Sequence, residues 1–367
     1  FNLEVKSSNG DAGVSNDDLC DATDLGNGSN VSKNFSVNLT NESSYCASEQ
    51  SGEPNTGSSI DIYDDASVWY SFSVDQNSAN IPAFIKIKLT SKEDIDGHVI
   101  VYKGKVDDCG FSNLTEVTKG GLPGTGWNDL LTKDDEVYLG CGSIEPGQTY
   151  WIQVTGWELW LTNNHWGLFD LNVSGYEQPL NDNVLNAKDL NNDQPVALGQ
   201  NIALDNQSSY CAGEEPNEPN TFSILTDVST LWYKFKTNSD PNLVPNGASF
   251  VVNSKEDIDA HVALFKFNGS VDYNNIEMLA EGGLPLSGLN DLFTKSDDVD
   301  FGCLDPNTTY YLQVSGWELL ATENHHGVFD LSANFNSTAK PSHDNIVDAI
   351  ELTTNGGVAV FSNNCAT

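Results

Sequence analysis

The chain has 367 residues, with 53 acidic side chains against 16 basic ones and a formal net charge of −37. Every basic residue is Lys, so there are no Arg forks for bidentate phosphate contacts and the net charge repels phosphate polymers, which excludes nucleic-acid binding. Hydrophobic residues still make up 38% and aromatic ones 10%, the composition of a folded, strongly solvated protein, and no run of 18 apolar residues offers membrane insertion.

In chain order, FNLEV at Phe1 matches FDLNV at Phe169 and FDLSA at Phe329. Residues 1–15 are therefore expected to be the closing strand of a preceding module and its linker. NDDLCDATDL from Asn16 opens a module over 16–175. Within it VWYSFSV, IKIKLT, HVIVYKG, EVYLGC, TYWIQVTG and LFDLNVSG read as strands, rich in aromatic and β-branched residues and bounded by Gly, Asn and Asp. IKIKLT alternates Ile85, Ile87 and Leu89 with Lys86, Lys88 and Thr90, the period of a half-buried strand. No dozen residues show a helical period.

After a short connector, 176–180, the pattern repeats. NDNVLNAKDL from Asn181 opens a second module over 181–335, a connector follows at 336–342, and HDNIVDAIEL opens a third at 343–367. SKEDIDGHV (Ser91 to Val99) returns as SKEDIDAHV (Ser254 to Val262), with eight of nine letters identical. VWYSF returns as LWYKF, GGLP and NDL recur, and TGWEL at Thr155 returns as SGWEL at Ser315. Duplication at this length marks an array of structural repeats. The predicted fold class is all-β, tandem antiparallel β-sandwich modules of jelly-roll type.

Seven Cys in so acidic a chain point to an oxidising compartment. Cys46 and Cys211 are equivalent, as are Cys141 and Cys303, whereas Cys20 and Cys109 occur in the first module alone. One pairing joins Cys211 to Cys303, Cys46 to Cys141 and Cys20 to Cys109; a second joins Cys20 to Cys46 and Cys109 to Cys141. Connectivity is not readable from sequence. Glycosylation sequons begin at Asn27, Asn30, Asn34, Asn38, Asn41, Asn113, Asn172, Asn206, Asn268, Asn307 and Asn336. Together they predict a secreted, glycosylated protein of the cell surface.

Asp94 and Asp96 sit two apart before a strand, as do Asp257 and Asp259, with Asp129 and Asp291 in the recurring NDL motif. Carboxylates at that spacing on a loop offer half of a Ca²⁺ site, and they equally cap a turn by accepting backbone N–H groups. His98 and His261 follow each D-x-D, and His165 and His325 precede the last strand, but no nucleophile motif accompanies them. Trp127, Trp157, Trp160, Trp166 and Trp317 are candidate platforms for sugar rings, or else core residues.

The order of these landmarks resembles the pre-peptidase C-terminal domains and their relatives repeated in secreted bacterial surface proteins. In each module it runs N-D with A-x-x-L, Cys before a long loop, x-W-Y-x-F, D-I-D-x-H-V, T-Y-x-x-Q-V-x-G-W and a closing G-x-F-D-L. The resemblance implies an extracellular jelly roll without catalysis, used for adhesion, polymer binding or spacing. Some relatives bind Ca²⁺ near the N-D opening, which here falls on Asn16 and Asp17, on Asn181 and Asp182, and on Asp344. The expected function is a non-catalytic structural repeat of an extracellular fibre, appendage or adhesin stalk that self-associates. The alternatives are a glycan-binding adhesin and accessory modules of a secreted hydrolase.

Overall fold

A computed structural model of the chain describes residues 14–54, 66–93, 97–105, 110–120, 134–156, 166–219, 228–256, 258, 260–282, 296–316 and 326–339. The chain divides into two compact units between Glu177 and Gln178. Among the described residues, regular structure is β-strand with short 3₁₀ turns.

The first unit contains β1 (Thr23–Asp24), β2 (Ser36–Ser43), β3 (Ser67–Ser73), β4 (Phe84–Ser91), β5 (Gly97–Lys103), β6 (Thr115–Lys119), β7 (Asp134–Leu139), β8 (Thr149–Gly156) and β9 (Leu168–Tyr176). They form a five-stranded sheet, β1-β3-β8-β5-β6, and a four-stranded sheet, β2-β9-β4-β7. The second unit repeats this with β10 (Lys188–Asp189), β11 (Asn201–Ser208), β12 (Val228–Lys236), β13 (Gly247–Ser254), β14 (Ala260–Phe267), β15 (Ile276–Glu281), β16 (Ser296–Gly302), β17 (Thr309–Gly316) and β18 (Val328–Phe335). Its sheets are β10-β12-β17-β14-β15 and β11-β18-β13-β16. Pairing between these strands is antiparallel except where β1 and β10 lie parallel to β3 and β12.

The two sheets differ in how their faces are used. In β4 the apolar residues alternate with half-exposed Lys86, Lys88 and Thr90, so the four-stranded sheet has one dry and one wet face. In β3 and β5 successive residues are buried on both sides. The outer face of the five-stranded sheet is covered by the opening segment of the module, with Leu19 against Trp69, Ile100 and Tyr102, and Val184 and Ala187 against Trp232 and Phe265. That is why VWYSF and HVIVY read as unbroken apolar runs. Between the sheets each unit has its own core, in which Phe72 stacks on Tyr150 and Phe235 on Tyr310, both with centroids 5.2 Å apart.

The register gives each module two poles. The C-terminal ends of β2, β4 and β8 and the N-terminal ends of β3 and β5 meet at one, which we call the leading pole. Asn16 is tied near it, because the Trp69 amide donates to Asn16 O and Asn16 Nδ2 donates to Trp69 O. The last residue of β9, Tyr176, pairs with Phe84 at the opposite, trailing pole. Asn181 and Trp232 make the same pair of bonds in the second module, and β18 likewise ends against the start of β13. The main chain thus enters each module at one pole and leaves at the other.

Cysteine pairing departs from both expected schemes. Cys46 is free and exposed, so neither Cys46–Cys141 nor Cys20–Cys46 forms. Cys20, Cys141, Cys211 and Cys303 are in disulfides. Cys211 follows β11 at the leading pole, where the Ser209 amide donates to Gly327 O, and Cys303 follows β16 at the trailing pole, where its amide donates to Asn246 O. The whole length of β13 separates them, about 23 Å at 3.3 Å per residue. A disulfide requires Cα atoms within about 7 Å, so Cys211–Cys303 is also ruled out. Sequence equivalence pointed to this pair because it says nothing about which end of the sandwich each strand delivers its residue to. Cys109 lies outside the described residues.

Candidate functional site

The most repeated stretch of the sequence sits at the leading pole, and its letters are used in packing. Ser91 Oγ accepts from the Gly97 amide at 3.2 Å and Ser254 Oγ from the Ala260 amide at 3.3 Å, closing the β4–β5 and β13–β14 turns. Lys92 reaches Asp170 and the side-chain oxygen of Asn41, both at 2.8 Å, and Lys255 does the same with Asp330 and Asn206. The Lys hydrogen bond holds each of these Asp carboxyls below the ordinary range. Glu93 accepts from Tyr45 Oη at 2.6 Å and the Leu168 amide at 3.0 Å, and Glu256 from Tyr210 Oη at 2.6 Å and the Val328 amide at 3.1 Å. Hydrogen bonding to Glu93 raises the Tyr45 hydroxyl above its ordinary pKa. Ile258 is fully buried.

The last polar letter is His98 or His261. His98 Nδ1 lies 3.3 Å from Asp135 Oδ2 and His261 Nδ1 lies 3.0 Å from Asp297 Oδ2, with all four side chains buried. Asp135 and Asp297 also accept the Val99 and Val262 amides at 2.8 and 2.9 Å. Above each carboxylate sits the first Gly of GGLP. A Cβ on Gly120 would fall 1.9 Å from Asp135 Oδ2, and one on Gly282 would fall 2.1 Å from Asp297 Oδ2. A His–Asp pair enclosed in this way is shielded from substrate and joins sheet to sheet.

The N-D opening is a second latch. Asp17 accepts from the Ser48 amide at 2.6 Å and from its hydroxyl, and Asp182 accepts from the Gly213 amide at 2.6 Å. Burial raises the Asp182 carboxyl above its usual range. Asp94, Asp96, Asp129, Asp257, Asp259 and Asp291 lie outside the described residues. Among the described residues no group of three or more His, Cys, Asp or Glu is placed to hold a metal ion.

Sequence reasoning passed over a third element, the EPNT that recurs at Glu53 and Glu218. Glu53 is buried and accepts from Ser67 Oγ, from Gln153 Nε2 at 2.7 Å and from the Gln50 amide at 2.7 Å. Glu218 accepts from Trp232 Nε1 at 2.7 Å, Gln313 Nε2 at 3.1 Å and the Glu215 amide at 2.8 Å. Burial raises both carboxyls and pushes Glu218 up to about 7. The exact return of EPNT was the signal available for finding them.

Among the candidate glycan platforms, Trp166 is 42% exposed beside the leading pole, where the second module has His326 packed on Tyr210 at 4.9 Å. Trp127, Trp157, Trp160 and Trp317, and likewise His165 and His325, lie outside the described residues. The sequon residues are all described. Asn172 is half-buried on β9 and the other ten are exposed. Asn27, Asn41, Asn206 and Asn307 sit at turns or bulges with positive φ. At Asn41 and Asn206 the Lys contact uses the amide oxygen and leaves Nδ2, the atom a glycan would take.

Fold and site together define a protein of tandem β-sandwich modules whose repeated residues lock one pole of each module. No family model and no curated protein matches the chain. Solved structures that align with it include the PBSX exported protein XepA, at 10% identity over 82% of this chain and 86% of that one, with a TM-score of 0.22. A partial N-terminal region of an enterococcal surface protein aligns at 9% identity over 74% and 86%, with a TM-score of 0.23. N-glycanase F aligns at 10% identity over 83% and 96%, with a TM-score of 0.20. At such scores these likenesses carry no argument about this chain.

Proposed function

We propose that the chain is a non-catalytic structural repeat protein of an extracellular fibre, appendage or adhesin stalk. The observation that carries this reading is polarity: in both modules the chain enters at one pole and leaves at the other, the connectivity that a serially repeated module needs. The recurrent side chains support it, because they are spent on internal locks and the His–Asp pairs are enclosed. Four cysteines in disulfides fit an oxidising exterior, and exposed sequons with a net charge of −37 fit a solvated surface. The resemblance to pre-peptidase C-terminal modules points the same way. Ca²⁺ held by the D-x-D carboxylates would add a further lock to each module, and titration calorimetry showing no heat would remove the ion from this account.

Electron microscopy of native source material, with the mass of the intact polypeptide, tests the reading. Filaments with an axial repeat of one or two modules are expected. Isolated particles near 39.8 kDa would overturn it. Exposed Trp166 favours one second reading, a carbohydrate-binding adhesin. In that case Trp166→His would abolish retention on a glycan array.

A further inference from the structure

One sequon position recurs. Asn41 in NES and Asn206 in NQS stand at equivalent places in the two modules, each shortly before the cysteine of SSYC, whereas the other sequons each belong to one module alone. Both sit in a β-bulge: Thr40 and Asn41 together face Asp170, between the Leu39–Leu171 and Glu42–Phe169 pairs, and Asp205 and Asn206 together face Asp330. The bulged residue takes the left-handed conformation, with φ 59 at Asn41 and 52 at Asn206, which Asn adopts more readily than most residues. Its backbone amide donates to the Asp carboxylate at 2.8 Å, and the Lys92 or Lys255 ammonium, held by that same carboxylate, donates to the side-chain Oδ1 at 2.8 Å. With Oδ1 on the Lys, Nδ2 points away from the clamp, and both Asn residues are exposed. Other sequons spend that nitrogen. Asn34 Nδ2 donates to Glu177 at 2.5 Å, Asn268 Nδ2 to Glu277 at 3.1 Å and Asn336 Nδ2 to Asn246 Oδ1 at 2.9 Å. Asn172 is half-buried on β9, opposite Asn38 on one neighbouring strand and Lys88 on the other.

We propose that the bulge Asn is the glycan carrier of the module: Asn41 and Asn206 each hold one N-linked oligosaccharide, so that every module presents a sugar at the same point of its surface, while Asn34, Asn268 and Asn336 stay bare. In the transfer, Nδ2 gives up one of its two protons and bonds to the anomeric carbon of a lipid-phosphate-linked oligosaccharide, and the bond from that carbon to the phosphate breaks as the lipid phosphate leaves. Oδ1 takes no part, so the Lys clamp survives the modification and fixes the plane of the amide from which the sugar projects. At Asn34, Asn268 and Asn336 a sugar on Nδ2 would instead crowd the acceptor that this nitrogen already meets. The inference rests on the extracellular reading and goes beyond it by assigning which of the eleven sequons the fold leaves ready for a glycan.

The test is site-resolved mass spectrometry of the native source material, digested and fragmented by electron transfer so that each sugar is assigned to its Asn. Asn41 and Asn206 are expected to carry a glycan in most copies, with Asn34, Asn268 and Asn336 unmodified. Asn41 or Asn206 found bare, or occupied no more than those three, would overturn the proposal. Filaments in the same material would then leave the structural reading standing, so the two failures are told apart. A second measurement uses the full chain expressed in an N-glycosylating host. Ser43→Ala with Ser208→Ala destroys both acceptor triplets and keeps the Asn–Lys contacts, whereas Ser43→Thr with Ser208→Thr keeps the triplets and the hydroxyls that accept the Tyr45 and Tyr210 amides. The Ala pair is expected to lose the mass of two glycans and the Thr pair none. An Ala pair of unchanged glycan mass would overturn the proposal, and because mass is the readout the result does not depend on how stably the variant folds.

Discussion

The two modules share a scaffold and wire it differently around one buried glutamate. In the first, Glu53 takes Ser67 and Gln153, and Trp69 Nε1 finds no partner among the described residues. In the second, Glu218 takes Trp232 Nε1 and Gln313, and Thr230, which stands where the first module has Ser67, donates to Gly213 O while its hydroxyl stays beside Glu218. Strand β12 reaches this arrangement through a register shift between Val228 and Leu231 that β3 lacks, with Ser229 at φ 60. Repeats can thus keep a pole locked while exchanging the donors that lock it. What must persist is an acceptor inside the pole with enough N–H and O–H groups to satisfy it.

The largest test of this contrast is removal of each Trp. Trp69→Ala and Trp232→Ala should each cost about 3–5 kcal/mol as core truncations. The second should cost a further ~1 kcal/mol because it also strips a donor from buried Glu218. Hydrogen exchange read separately over each module measures both losses, and equal losses would show that the Trp232–Glu218 bond adds nothing. Next come Gly120→Ala and Gly282→Ala, which push a methyl into the Asp135 and Asp297 carboxylates. Each should destabilise its module by roughly 2–3 kcal/mol and to a similar degree. A marked inequality would mean that one His–Asp pair can move aside.

A pH series sharpens the difference between the two glutamates. Glu218 has a folded pKa of about 7 against 4.5 unfolded, so between those values the folded state holds the extra proton. Its contribution is therefore most favourable below pH 4.5 and is lost as pH rises to 7, by roughly 1–2 kcal/mol after allowance for solvent screening. Thermal melts should show the second module weakening over this window, and Glu218→Gln should flatten that slope. The smallest effect is expected from Lys92→Ala and Lys255→Ala. These exposed ion pairs with Asp170 and Asp330 are worth under about 1 kcal/mol, and the difference should shrink in 1 M salt.

Much of the fold was legible in the chain itself. The period-2 pattern of IKIKLT placed Ile85, Ile87 and Leu89 inward, and the repeated segments announced two modules of like architecture. The meaning of SKEDIDGHV was less accessible. The D-x-D at its centre lies outside the described residues, and around it Ser91, Lys92, Glu93 and His98 are spent on partners as distant in sequence as Asp170 and Leu168. Asp135 gave no local sign that it would meet His98, because it lies in an acidic run on a strand of the other sheet.

Sequence alone determined β3, β4, β5, β7, β8 and β9, the alternating faces of β4 and the duplication, since side-chain alternation and repetition are local properties of the chain, whereas β1, β2 and β6 emerged only from their pairing partners. Only tertiary structure decided which residues share a pole. Each antiparallel crossing carries the chain from one end of the sandwich to the other, so the end at which a residue lands depends on every strand before it. Cys46 and Cys141 are equivalent to Cys211 and Cys303 in sequence, and the fold still sets the members of each pair a strand length apart.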